Sequence, residues 1–226
     1  MCGRFTLIMP WSEIHRLYSL TDDAFLGRND LPPRYNIAPT QQVPVVHLNR
    51  DGEEVAEEAR WWLVPFWAKE LPKQAMFNAR IETVSTSGAF KEAFRSKRCL
   101  IPADGFYEWT IDPADPKGKT KDPWYIHLPG RAPFSFAGLW AHNEVLGITS
   151  CTIITRPAEG PVIELHHRMP VILDPAVYDE WLSPESSPSD ALEILDHHID
   201  GQLQFNRVGR EVNSPSFSGN PGINPL

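Results

Sequence analysis

Twenty-two prolines and fourteen glycines are spread through this chain of 226 residues. A proline inside a helix removes a backbone hydrogen bond and clashes with the preceding turn, which costs about 3 kcal/mol. Long helices are therefore disfavoured, a helical bundle with them, and short elements joined by many turns are expected. Eight Trp and eleven Phe within a hydrophobic content of 42% are enough to fill one sizeable core and leave some aromatic surface for binding. A single domain over residues 1–226 is expected, with an irregular Ser/Pro/Gly-rich tail from Asn213.

Local patterns give the elements. Trp11, Ile14, Leu17 and Tyr18 recur at helical spacing and predict a first amphipathic helix. Leu31 to Pro39 is so dense in proline that it reads as an extended, fixed loop. Val43–Leu48 and Val55–Leu63 flank the turn Asn49-Arg50-Asp51-Gly52 and read as a hairpin. Cys99–Ile101, Phe106–Trp109, Trp124–Leu128, Phe134–Trp140 and Cys151–Thr155 read as further strands, with Asp112–Asp122 as an exposed loop. Asp174-Pro175 predicts a capped helix through Leu182, and Pro188 starts another through Leu195. The fold expected is α+β, with a mainly antiparallel, curved or barrel-like sheet and peripheral helices.

Several classes are set aside. No apolar stretch has the length of a membrane span, and no secretory signal opens the chain. Cys2, Cys99 and Cys151 are too far apart for a disulfide framework or a CxxC zinc site, so a reducing cytoplasm is expected, with no metal and no cofactor. A net charge of −8 argues against generic affinity for nucleic acid, yet arginines recur beside the segments below, which allows a local basic groove.

The opening Met1-Cys2-Gly3-Arg4-Phe5 carries the first chemical signal. Removal of Met1, favoured by a small second residue, would leave Cys2 with an α-amine and a thiol two carbons apart. With ordinary pKa values of about 7.7–8.0 and about 8.5, both groups are partly nucleophilic near neutrality. An amine attacks an aldehyde to form an imine, and the thiol can close on that imine as a thiazolidine. The thiol could instead attack a carbonyl with its own amine as base. The plain alternative is a small, half-buried Cys near a frayed end.

Other segments offer partners, each with an ordinary structural explanation beside it. Phe77 to Thr83 holds Asn78, with one donor group and one acceptor, and Arg80, a planar fork for phosphate; it also suits an exposed strand edge. Ala103 to Trp109 sets Glu108 between aromatics, where burial would raise its pKa, or where it simply faces solvent. Ile163 to Pro170 holds His166 and His167, which on an extended chain point to opposite sides, so one of the two is expected to act as an acid. His197 and His198 are expected to cap a helix C-terminus as cations. Trp61 to Trp67 could stack single-stranded bases, or form a core strand before a proline turn.

Taken in order, MCGRF, RYNIAP at 34–39, W-x-L-V-P-x-W at 61–67, FNARIET at 77–83, RCLIPADGFYEW at 98–109 and LHHRMPVIL at 165–173 resemble the SRAP (SOS response-associated peptidase) family across nearly the whole chain. The resemblance implies the SRAP fold and a monomeric sensor of abasic sites in single-stranded DNA, acting at stalled forks among replication-fork factors. It implies a thiazolidine crosslink through Cys2 that shields the lesion, and a capacity for autoproteolytic release or reversal. It assigns Asn78 to positioning the reacting terminus and the opened sugar, Glu108 to proton handling, and His166 to ring opening of the deoxyribose. It gives Arg4, Arg80, Arg98 and Arg168 to phosphates or to holding the site together, and lays Pro39, Trp67 and Thr155 along the DNA path. Trp62 departs from the glycine usual in this family. Two rivals remain: an N-terminal-nucleophile amidohydrolase of the glutamine amidotransferase kind, which lacks its Asn-Gly-Glu-Ile signature here, and a non-catalytic binder of single strands.

Overall fold

The longest strands close on one another. In a computed structural model, which describes residues 2–18, 20 and 32–223, β1 (Phe5–Leu7), β2 (Arg34–Ile37), β3 (Gln42–Leu48), β4 (Glu54–Trp61), β5 (Asn78–Arg80) and β6 (Arg98–Ala103) form the first half of the sheet structure. The second half is β7 (Gly105–Ile111), β8 (Lys121–His127), β9 (Phe134–Asn143), β10 (Ile148–Pro157), β11 (Arg168–Pro170) and β12 (Gln204–Arg207). Strands β10, β4, β3, β6 and β9 pair in that order, and β9 pairs back to β10, which closes a barrel. A second sheet runs β12-β8-β7-β1-β2. Pairing is antiparallel except where β10 meets β4 and β5. The expected α+β, barrel-like class is what the chain adopts. Met1 and Leu31 lie outside the described residues.

The elements follow from local chemistry. Asn49 Oδ1 accepts from the N–H groups of Asp51 and Glu53, both at 2.9 Å, and Gly52 takes φ +80° to close the β3–β4 hairpin. Pro157 and Pro170 sit at the ends of β10 and β11, where a missing N–H does least harm. The helices, α1 (Trp11–Leu17), α2 (Lys91–Ser96), α3 (Tyr178–Leu182) and α4 (Pro188–Ile194), are short, as the proline density requires. Asp174 accepts from the Ala176 N–H at 2.9 Å, but the turn it caps is 3-10 over Pro175–Val177, and α3 begins only at Tyr178. Ser187 and Asp190 form a reciprocal capping box on α4.

Two readings change. The segment expected as a proline loop contains β2, because Arg34 to Ile37 all keep their N–H groups between Pro33 and Pro39 and pair with β1. The first strand is no frayed end. It lies between β2 and β7, with Phe5 opposite both Ile37 and Phe106, and Phe5 packs edge-on against Trp61 and Phe136 at 5.0 and 5.6 Å. Asp104, at the corner where β6 of the barrel passes into β7 of the second sheet, is buried and accepts from Thr6 Oγ1, the Ile8 N–H and the Met9 N–H.

Gly105 is required at this corner. A Cβ there would stand 2.2 Å from the Tyr125 ring, whose hydroxyl donates to the Asp104 carbonyl at 3.0 Å and so cannot swing aside. Gly105→Ala is expected to cost about 1–3 kcal/mol by overpacking. Denaturant unfolding checks this, and an unchanged midpoint would show that Tyr125 yields.

Candidate active site

Clamping β1 puts Cys2 inside the protein, with no solvent exposure. Burial pushes its thiol pKa far up, the charge of Glu108 adds to this, and the charge of the amino terminus and the Arg4 backbone N–H oppose it. The sequence suggested a thiol partly ionised near neutrality. The buried environment keeps it protonated, since an anion there loses its hydration.

Glu108 reaches the same place from β7, where alternation turns its side chain inward, between Tyr107 and Trp109 in sequence. It is 3% exposed, which excludes the solvent-facing alternative. Desolvation lifts its pKa from 4.5 to about 7, against the charge of the amino terminus. His166 Nδ1 lies 3.8 Å from Glu108 Oε1. The backbone N–H and the carbonyl oxygen of Arg168 both lie 3.0 Å from the same nitrogen, so the main chain at Arg168 holds the ring whichever nitrogen carries the proton. Burial, first among the causes, lowers the His166 pKa. The resting pair near neutral pH is thus an imidazole without its second proton beside a carboxyl that is about half protonated. Glu108 links the three: its charge acts on the Cys2 thiol, and its carboxyl lies 3.8 Å from the His166 imidazole.

The adjacent histidines do not diverge. Their rings stack at 4.3 Å between centroids, because the chain bends after the 3-10 turn at Gly160–Glu164 rather than running extended. His167 is exposed and His166 half-buried.

A strip of backbone pairing carries the remaining groups. Asn78 lies opposite Ile153 and Arg80 opposite Thr155, on β5 and β10, while Arg168 on β11 lies opposite Pro157. Asn78 Nδ2 donates to the Phe77 carbonyl at 3.0 Å, and its buried Oδ1 has no hydrogen-bond partner among the described residues. Arg80 is exposed. Arg168 is buried and forks onto the Glu82 carboxylate while Nη2 donates to the Thr155 carbonyl at 2.7 Å. Glu82, given no role from the sequence, fixes the guanidinium whose backbone N–H meets His166. Its place in FNARIET was the signal available.

The other expected contacts stand apart. Arg4 is buried, donates to Asn36 Oδ1 at 2.6 Å and to the Val212 carbonyl at 2.7 Å, and lies 5.6 Å over the Trp109 ring, tying the first strand to the tail. Arg98 gives its donors to the backbone carbonyls of Trp181, Phe94, Arg95, Ser183 and Ser186. With 3% exposure it binds α2 to α3 and has no donor left for a phosphate. Thr155 is fully buried and supports Arg168, so a strand crossing the surface does not touch it. Trp67 is 59% exposed beside an exposed Phe66, and Pro39 is half-buried just after β2. Trp61 is core; Trp62 is half-buried with its ring 5.7 Å from that of Phe77. His198 is no C-terminal cation, since burial and then the charge of Arg156 lower its pKa.

Fold and site together define a barrel protein that carries a buried cysteine at its amino-terminal strand, beside a carboxyl–imidazole pair and an exposed arginine. The SRAP (SOS response associated peptidase) family pattern matches residues 1–215, and the chain belongs to that family. It is 39% identical over 221 residues to the abasic site processing protein YoqW of Bacillus subtilis, with 95% of each chain covered. It is 28% identical over 231 residues to the abasic site processing protein YedK of Escherichia coli, with both chains fully covered. Among solved structures, a phage-related protein of Bordetella bronchiseptica matches with a TM-score of 0.74 at 29% identity, over 92% of this chain and 94% of that one.

The Glu108 environment has a consequence for stability. Between pH 4.5 and about 7 the folded chain keeps a proton that the unfolded chain has released. Stability from this group therefore falls as pH rises through that window. Glu108→Gln removes the burden, so its stability relative to the parent chain should be greater at pH 8 than at pH 5 in denaturant unfolding. A difference independent of pH would place the Glu108 pKa at its ordinary value.

Proposed function

We propose that this protein recognises abasic sites in single-stranded DNA and crosslinks to them through the α-amine and thiol of Cys2, once Met1 is removed. The observation that carries the proposal is the fully buried Cys2 thiol within reach of the Glu108 charge, with the Glu108 carboxyl 3.8 Å from the His166 imidazole.

An abasic sugar equilibrates with a ring-opened aldehyde. With His166 neutral, its imidazole can take the proton of the C1′ hydroxyl and pass it to the ring oxygen as the C1′–O4′ bond breaks, which leaves the aldehyde, a free hydroxyl and the imidazole neutral again. The Cys2 amine adds to the aldehyde carbon, and its proton passes to the oxygen to give a carbinolamine. Glu108, protonated, delivers its proton to the departing hydroxyl, so that water leaves and an iminium ion remains. A plain imine at this stage eliminates the downstream phosphate and cuts the strand. Sulfur instead attacks the iminium carbon, and the thiol proton returns to the Glu108 carboxylate. The thiazolidine is closed with one water lost, and the acid is regenerated. A group with pKa near the working pH suits this cycle, because it must both give and take the proton. Holding amine, thiol and aldehyde together supplies the usual gain from proximity. Run backwards, the same proton transfers reverse the crosslink.

A single strand is preferred because its abasic residue needs no unpairing. Arg80, on β5, is an exposed cation, and Trp67 and Phe66 are exposed aromatic faces, which together suit the backbone and bases of one strand.

Cys2→Ser should bind abasic single strands and form no heat-stable adduct on a denaturing gel; an adduct that persists would sink the thiazolidine. His166→Ala should slow crosslinking and reversal by about a hundredfold, within the range of positioned proton transfer, while DNA affinity is kept. Parallel losses in rate and affinity would make His166 structural. Arg80→Ala should weaken binding to intact and abasic strands alike and reduce the salt slope by about 0.7, as one lost phosphate contact requires. A preserved slope would remove Arg80 from the DNA path.

A further inference from the structure

Three donors converge on the carbonyl oxygen of Phe77. Trp61 Nε1 donates at 2.8 Å, Asn78 Nδ2 at 3.0 Å and the Ile153 backbone N–H at 3.2 Å. A carbonyl has two lone pairs, so one of the three bonds is the easiest to release. The Trp61 indole is fixed by core packing and the Ile153 amide by strand pairing, which leaves the Asn78 side chain. Its orientation is still defined. Turned around, Oδ1 would face the Phe77 oxygen, acceptor against acceptor. Asn78 therefore shows the site a buried acceptor without a partner, held only as firmly as the carbonyl behind it. An unpartnered buried acceptor is unfavourable unless a donor arrives.

Beside the bonds from Trp61 and Ile153, packing on the Phe77 ring steadies that carbonyl. Trp61 meets it from the core side, edge-on at 6.0 Å, and Trp62 meets it at 5.7 Å with the planes tilted by 42°. Trp62 can do this because β4 ends at Trp61 and the chain turns at once, with the Trp62 N–H bonded to the Arg60 carbonyl at 2.8 Å. A glycine at 62 would leave Phe77 covered by one tryptophan instead of two.

We infer that Trp62 is a positioning residue: by adding a second ring contact to Phe77 beside that of Trp61, it steadies the carbonyl that orients the Asn78 amide, so that Asn78 Oδ1 is preset to accept from the amine or sugar hydroxyl of the reacting pair. The inference rests on the crosslinking reaction proposed above. Trp62 touches no reacting atom and acts through Phe77 and Asn78.

The test compares the parent chain with Trp62→Gly and Trp62→Phe, using an abasic single-stranded oligonucleotide at saturation and an intact one for affinity. Crosslinking by Trp62→Gly should be about tenfold slower, as expected when a positioned group is loosened. Its affinity for the intact strand should be unchanged, and Trp62→Phe, which keeps a ring on Phe77, should recover most of the rate. The Asn78 side-chain amide signals, followed by NMR without DNA, should be distinct in the parent chain and in Trp62→Phe and broaden in Trp62→Gly. Equal rates in all three proteins, or unaltered Asn78 signals in Trp62→Gly, would overturn the inference. Weaker binding with an unchanged rate would make Trp62 a stacking surface instead. If the parent chain forms no adduct at all, the crosslinking proposal fails, and the NMR comparison still decides whether Trp62 orders Asn78.

Discussion

The whole arrangement depends on a short first strand being held as firmly as the barrel it joins. A chain end is ordinarily the least ordered part of a domain. Here Asp104, buried at the point where one continuous run of chain leaves the barrel for the second sheet, accepts from the side chain of Thr6 and from the backbone beyond it. Phe5 is set between Trp61 and Phe136, and Arg4 ties the strand to the tail through Asn36 and Val212. Without these contacts Cys2 would be a solvated thiol on a loose end. With them it is a neutral thiol at a fixed position.

Burial then orders the proton chemistry. The same low-dielectric surroundings that keep the Cys2 thiol protonated raise Glu108 and lower His166, because each shift favours the uncharged form. A site made of neutral partners can exchange protons at neutral pH without stranding a charge. The Arg168 guanidinium is engaged by the Glu82 carboxylate and the Thr155 carbonyl, and what Arg168 presents to His166 is its backbone N–H and carbonyl.

What could be read from the sequence was what local chemistry determines. The hairpin at Asn49–Gly52 and the helix start at Pro188 depend on residues within a few positions of one another and formed where expected, while Asp174 caps a 3-10 turn and the α-helix expected there begins three residues later, at Tyr178. The barrel could be anticipated only as a class. Its closure depends on β9 and β10 meeting and on β10 lying parallel to β4, pairings between distant residues that no local pattern encodes. The site divides in the same way. Glu108 between aromatics carried a burial signal, and the motif order pointed to Cys2, Asn78 and His166. Thr155 is expected along the DNA path because a threonine in a motif does not announce that it is enclosed, and for Arg98 the motif leaves a phosphate contact and a structural role equally open. The stacked histidines were misread because a single bend after Glu164 overrides strand alternation.

The central claim is that amine and thiol of one residue act together on an aldehyde. An intact-mass spectrum of the purified protein, taken before and after incubation with an abasic single-stranded oligonucleotide, tests it most directly. The account predicts a protein lacking Met1, and then a product whose mass equals protein plus oligonucleotide minus one water. A protein that keeps Met1 and still forms that adduct, or one that lacks Met1 and forms none, would contradict it.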